Sequence, residues 1–185
     1  MRVDEAASAG WLWRTVGCAA LVVLGLWLLM WLLLSIMGPL RATAQSMRCQ
    51  GNLHRLARGL AMYADDYGDR YPAASRWMDG VAPYVEEDRT RCPSRPESGG
   101  YGYAMSTALA GRRKARVLEP EKAPLVYDST RMGRSAADAF ASLPKPGRHR
   151  ARPARGKPAR RGDWVAYADG SARFVATGAA ARAAK

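Results

Sequence analysis

No charged residue stands between Arg14 and Arg41, and residues 16–37 are apolar almost throughout, with Ser35 the main polar interruption. About 22 such residues in a helix extend roughly 33 Å at 1.5 Å per residue, enough to cross a hydrocarbon core about 30 Å thick. A helix is what lipid demands, because it satisfies its own backbone donors and acceptors. Trp11 and Trp13 stand at the start of the run, where amphipathic rings favour the membrane interface. Gly38-Pro39 is expected to end or kink it, since proline removes a helical donor. Buried helices of soluble proteins rarely reach this length without a charge, so residues 15–40 read as a transmembrane helix. Ala42-Thr43-Ala44 has the small-residue pattern of a signal-peptidase site. The apolar stretch is nevertheless longer than the about 7–15 residues of a secretory signal, and an uncleaved anchor is the expectation.

A short polar segment, residues 1–14, precedes the span. The remainder of the 185 residues allows one compact domain, residues 41–176, and an alanine-rich tail, residues 177–185, expected to be disordered. The formal net charge of +13 lies wholly beyond residue 40, because Arg2 and Arg14 balance Asp4 and Glu5. Such a balance fits an anionic neighbour, whether envelope polymer, lipid headgroup or nucleic acid, or simply a solvated basic surface. Arg41, Arg48, Arg55 and Arg58 follow the span. The positive-inside rule alone would keep the domain in the cytoplasm, but long domains translocate largely regardless of charge. Cys18 lies in the apolar run, while Cys49 and Cys92 leave two readings open: a disulfide in an oxidising compartment, or two free buried thiols. With no second Cys pair and no His close in sequence, they do not read as a zinc site.

Beyond Pro39 a helix is expected to resume and run to about Tyr63, with Leu53, Leu56, Leu60 and Tyr63 on one stripe and Arg55 and Arg58 turned away. His54 lies beside the stripe and reads as structural. Gly68 can take a left-handed cap, and Pro72 cannot continue a helix. Asp65, Asp66 and Asp69 lack the alternating spacing and terminal glutamate of a calcium loop. Residues 77–85 read as a short helix with Trp77, Val81 and Tyr84 on one face. Gly99-Gly100-Tyr101-Gly102-Tyr103 suits an irregular strand at a sheet edge, and residues 124–128 a regular one. Residues 144–162 carry Arg148, Arg150, Arg152, Arg155, Lys157, Arg160 and Arg161 among four prolines, with no acid between Asp138 and Asp163. This segment is expected to be a mobile basic loop, either a solvated insertion or one that meets an anionic polymer nonspecifically. It lacks the interleaved aromatics of a dedicated nucleic-acid site. Asp169-Gly170 between alternating segments signals a two-residue hairpin pairing Ala168 with Ser171, Tyr167 with Ala172 and Val165 with Phe174. That register would pack Val165, Tyr167 and Phe174 on Leu53, Leu56, Leu60 and Tyr63 as the core, and would leave His149 and Ser142 without structural weight.

In this order, Cys49-x-x-Asn52-Leu53, Tyr63-Ala64-Asp65-Asp66, Tyr71-Pro72, Cys92-Pro93, Tyr101-Gly102-Tyr103 and Tyr127-Asp128-Ser129 resemble bacterial prepilin-like, type II secretion pseudopilin-like proteins. Their C-terminal region carries a His, nine residues, then Asp-Gly; here His149 precedes Asp169-Gly170 across a longer gap that the basic segment fills. Gly10-Trp11 stands where such proteins are processed, with Trp11 in place of phenylalanine and Thr15 in place of the expected glutamate. The resemblance implies an α+β, pilin-like fold: a long N-terminal membrane helix continuing into a small antiparallel sheet packed on it. It implies a Cys49–Cys92 disulfide and a single pass through a bacterial inner membrane, with the domain on the extracytoplasmic side. It also implies a structural or assembly part in a pseudopilus-like system, with other pseudopilin-like or secretion-system subunits as partners. The alternative is a membrane-anchored binding module that contacts anionic envelope polymer through its basic loop.

No catalytic constellation emerges, so neither an enzyme nor a cofactor is expected. Two histidines give a His-based triad little to draw on, and no GxSxG occurs. Ser142-Leu143-Pro144-Lys145 matches SxxK on paper, but Pro144 disfavours the helix that would align Ser142 with Lys145.

Overall fold

The computed structural model describes residues 4–94, 99–151 and 160–176, and their side chains apart from residues 4–15 and 39. The expected tail at 177–185 lies outside the described residues. The chain divides into two compact units, Met1–Arg41 and Ala42–Lys185. Helix α1, Asp4–Asp66, is assigned through both. In the first unit it passes through Gly38-Pro39 without the expected break. A single proline removes one donor, and the rest of the backbone ladder remains available. Apolar side chains there are exposed, from Met37 at 42% to Leu21 at 70%, and the run qualifies by length and composition as a membrane span. Ser35, its polar interruption, donates its hydroxyl to Trp31 O at 2.8 Å, so it brings no unsatisfied donor into an apolar environment.

In the second unit the apolar stripe of α1 is the spine of the core: Cys49, Leu53, Leu56, Ala57, Leu60 and Ala64 are buried, and Arg55 and Arg58 are exposed. The helix closes on Gly68 at φ 69° and Asp69 at φ 62°, with Asp69 N–H bonded to Ala64 O at 2.7 Å, a six-to-one closure that uses an end carbonyl. Tyr63, expected in the core, is only half-buried and stacks on Tyr67. Helix α2, Trp77–Val81, is shorter than expected, because Pro83 has no N–H to give Asp79 O. It nonetheless buries Trp77, Met78 and Val81. Gly59 is where α1 meets this segment: a Cβ there would stand 2.6 Å from methyl carbons of both Val81 and Val85.

The strands are β1 (Tyr103–Ser106), β2 (Pro124–Asp128), β3 (Ala137–Asp138), β4 (His149–Arg150), β5 (Arg161–Tyr167) and β6 (Ala172–Ala176). Their order is β3-β1-β2-β5-β4, with β6 paired to β5. The sheet is mixed rather than antiparallel, because β3 runs parallel to β1. β1 is interior rather than an edge, buried at all four positions. Only Tyr103 of the glycine–tyrosine stretch joins it.

The hairpin register differs from expectation by one residue: Ala166 pairs with Ala172, Val165 with Arg173 and Trp164 with Phe174. Gly170 takes φ 84° and Asp169 does not take a positive φ, so the turn is not the mirror-image type that Asp-Gly favours. Gly170 N–H bonds Tyr167 O and Tyr167 N–H bonds Ser171 O, both at 2.9 Å, which is a type I turn with a glycine bulge. A one-residue slip exchanges which side chains share a face. Trp164, Ala166, Ala168 and Ala172 therefore join the helix-side core, and Trp164 Nε1 donates to Ser46 Oγ at 3.0 Å. Val165 and Tyr167 pack on the opposite side of the sheet with Ala104, Tyr127, Phe140, Leu143 and Val175. Phe174 is half-buried, its ring edge-on to Trp164.

Candidate functional site

β5 changes partners along one edge: Arg161 and Gly162 pair with β4, while Val165 to Tyr167 pair with β2. Two carboxylates bridge the change. Asp128, the last residue of β2, accepts Trp164 N–H on Oδ2 at 2.7 Å, and Asp163 accepts Arg148 N–H on Oδ1 at 2.9 Å. Both acids are buried, Asp128 completely. Close approach here requires glycine: a Cβ on Gly147 would strike the Gly162 backbone, and one on Gly162 would strike Val175 O and lie 2.7 Å from the Phe174 ring.

The approach carries Arg148 and His149 inward. Arg148 donates Nη1 to Gly102 O at 3.1 Å and Nη2 to Ser129 O at 2.6 Å, and its Nη1 stands 3.6 Å from Asp128 Oδ1. His149 Nε2 lies 3.0 Å from Asp128 Oδ2. That pair lacks hydrogen-bond alignment, which leaves the buried His149 Nε2 without a hydrogen bond, and Asp128 Oδ1, 3.6 Å from Arg148 Nη1, also has none. Burial pushes the Asp163 carboxyl up to about 6. The Arg148 N–H and the Arg148 and His149 charges oppose that shift, and Asp128 adds to it.

Beneath this group Cys49 of α1 and Cys92 form a disulfide, Cα to Cα 5.3 Å, both fully buried. A ligand atom from each of Cys49, Cys92, Asp128 and His149 lies within 4.8 Å of the others. His54, the histidine nearest Cys49 in sequence, lies against Gly170 O, and strand pairing instead brings His149 to the cysteines as β4 docks on β5. Asn52, one turn beyond Cys49, donates Nδ2 to Arg91 O at 3.0 Å, and Cys92 N–H bonds Tyr101 O at 2.9 Å. Next to them is a cavity of about 310 Å³ lined by Arg48, Asn52, Asp88, Arg89, Arg91 and Pro93. Arg89 is paired with Glu86 and Asp88, and Arg91 with Glu87, whereas Arg48 makes no ion pair among the described residues.

The other residues singled out by sequence serve the fold. Asp65 pairs with Lys114, Asp66 accepts the Tyr84 hydroxyl at 2.5 Å, and Asp69 accepts Ala115 N–H. Asp169 accepts Ser171 N–H and Oγ at 2.9 and 2.7 Å. These bonds hold its carboxyl below the usual range although burial pushes the other way. Gly170 O sits 2.6 Å from His54 Nδ1, which pins the hairpin turn to α1. Ser142 Oγ meets Ser129 Oγ at 2.5 Å.

The basic segment is not one mobile loop. Arg148 and His149 are internal, β4 is hydrogen-bonded, and Arg150, Arg160 and Arg161 are exposed beside it. Arg152, Arg155 and Lys157 lie outside the described residues. Sequence reading missed Asp163 as a site residue. Its signal was the first acid after a long basic stretch, directly ahead of an alternating strand. Comparison of the chain with protein-family models, curated proteins and solved structures gives no match.

Proposed function

We propose that the protein is a membrane-anchored, pseudopilin-like envelope subunit with a structural or assembly role. The observation that supports this reading most is the double character of α1. Its first part is apolar and exposed, and its last turns are the spine of a small α+β core. A buried disulfide fits an oxidising, extracytoplasmic side for the second unit. In pilin-like assemblies subunits associate through their apolar helices, and a carboxylate near the start of the helix helps set register. Thr15 stands in that place here, which fits a minor or tip subunit, or a plain anchor, better than a major filament subunit.

Photocrosslinking in cells from Leu24 and Trp31 should capture a second apolar helix, either of this chain or of another envelope-assembly subunit. N-terminal sequencing of the membrane-extracted protein should find Trp11 first. An N-terminus at Met1 together with no helix crosslink would overturn the reading. The exposed Arg150, Arg160 and Arg161 favour a binding module on anionic polymer as the second reading, for which salt-sensitive polyanion binding is the mark.

A further inference from the structure

The buried group above the disulfide is chemically incomplete. Asp128 and His149 are at 0% and 3% exposure, yet Asp128 Oδ1 and His149 Nε2 have no hydrogen-bond partner. One donor atom from each of Asp128, His149, Cys49 and Cys92 falls within 4.8 Å of the other three. Tetrahedral zinc holds sulfur at about 2.3 Å and nitrogen or oxygen at about 2.0–2.1 Å, which places donors roughly 3.3–3.8 Å apart. His149 Nε2 and Asp128 Oδ2, 3.0 Å apart, already approximate one such edge. The cysteine Cα atoms, 5.3 Å apart, are near enough for both sulfurs to reach one ion.

We propose that, when Cys49 and Cys92 are reduced, the chain binds one Zn²⁺ through their two thiolates, His149 Nε2 and the Asp128 carboxylate. Two thiolates, one carboxylate and a neutral imidazole leave the zinc complex with one net negative charge, and the Arg148 guanidinium, 3.6 Å from Asp128 Oδ1, offsets it. Thiolate with imidazole is a donor set that selects zinc over hard cations. Binding displaces one proton from each thiol. Disulfide formation and metal binding then exclude each other, because both use the same sulfur electron pairs. An oxidised dithiol carrier accepts two electrons from the two thiolates and takes up two protons from the medium. The Sγ–Sγ bond forms, the carrier leaves as its dithiol, and Zn²⁺ is released. The cavity lined by Arg48, Arg91 and Pro93, chain neighbours of both cysteines, opens beside this centre. The proposal does not depend on the assembly role.

The test uses the full chain in detergent micelles, carrying Cys18→Ser so that the thiol of the apolar run contributes nothing. After phosphine reduction without oxygen, competition against a chromophoric chelator should give one Zn²⁺ per chain, at least about 100-fold tighter than to the disulfide form. Co²⁺ in its place should give the ligand-field and thiolate charge-transfer bands of a tetrahedral site. Zinc-edge absorption should show two sulfur and two nitrogen or oxygen neighbours, a readout that needs no variant to fold. His149→Ala should weaken zinc binding at least about tenfold, and an oxidised dithiol carrier should release one ion per disulfide formed. Substoichiometric binding by the reduced chain, equal binding by the disulfide form, or an edge spectrum lacking both sulfurs would overturn the proposal.

Discussion

Two glycines of the same helix should respond differently to the same substitution. Gly51 and Gly59 both lie in α1 of the second unit, and replacing either by Ala removes about 1 kcal/mol of helix-propensity penalty. Around Gly51 a Cβ would meet nothing within 4 Å, so Gly51→Ala should stabilise by up to about 1 kcal/mol. At Gly59 the new methyl would stand 2.6 Å from Val81 Cγ2 and from Val85 Cγ2. Those distances are more than 1 Å inside ordinary carbon contact at about 3.5–4.0 Å. Val81 is fully buried and Val85 nearly so, and a β-branched side chain has few rotamers in which to retreat. The segment carrying α2 must therefore move, at an overpacking cost of about 1–3 kcal/mol. Because the propensity gain is common to both variants, the difference between them measures that cost directly. Chemical denaturation of the two variants in the same micelles, followed by tryptophan fluorescence, reads the difference. Gly59→Ala should fall below Gly51→Ala by about 1–3 kcal/mol, or roughly 2–12 °C in Tm. If Gly59→Ala is as stable as Gly51→Ala, α2 does not pack on α1 as described.

His149→Ala should destabilise by about 2–4 kcal/mol in denaturant titration, because it empties a buried site and strips the buried Asp128 carboxylate of its 3.0 Å neighbour. Phe174→Ala should cost only about 1–2 kcal/mol in the same assay, less than a full core truncation, because the ring is half-buried and its main contact is the edge of Trp164. Asp163→Asn should flatten the pH dependence of stability. The Asp163 carboxyl is raised from 3.8 to about 6, so the folded protein holds that proton more tightly than the unfolded chain; its contribution is present below about pH 4 and lost as pH rises through 6. An Asn still accepts the Arg148 N–H, so the variant should gain up to about 3 kcal/mol on wild type between pH 4 and pH 7, and an unchanged profile would refute the assignment.

What could be read in the sequence was what rests on local pattern. The charge-free run, the stripe from Leu53 to Leu60, the Gly68 cap and the strand Pro124–Asp128 each carry a short-range signal of a single kind. The failures came where two local rules compete or where distant segments decide. Asp169-Gly170 marked the hairpin, but its φ angles belong to a bulged turn, and the extra residue moved Val165 and Tyr167 to the other face. Residues 144–162 look like a solvated basic loop by composition. Two glycines, Gly147 and Gly162, nevertheless let the backbone come close enough to bury Arg148 and His149. Nothing in the spacing of Cys49, Cys92, Asp128 and His149 announces that they meet, because α1, the segment after α2, β2 and β4 each supply one of them.

That distribution ties the four residues to the completed fold. The disulfide joins residues 43 apart in sequence, a closure that the chain-entropy view values at about 4 kcal/mol. That stabilisation is available only to a chain that has brought α1 and the segment after α2 together. Asp128 and His149 join them only once β2 has paired with β5 and β4 with β5. A reduced chain therefore assembles all four donors only when the helix-side core and the far end of the sheet are both in place. An ion held there would keep the two thiols adjacent and unreactive in the folded chain until an oxidant reaches them. Oxidation would then replace the ion with a covalent bond between the sulfurs and leave Asp128 Oδ1 and His149 Nε2 without a hydrogen bond. On this view Asp128 Oδ1 and His149 Nε2, which lack a hydrogen bond beside the disulfide, are donors of the centre that preceded it, and the set of thiolate, imidazole and carboxylate is the reason that centre selects zinc.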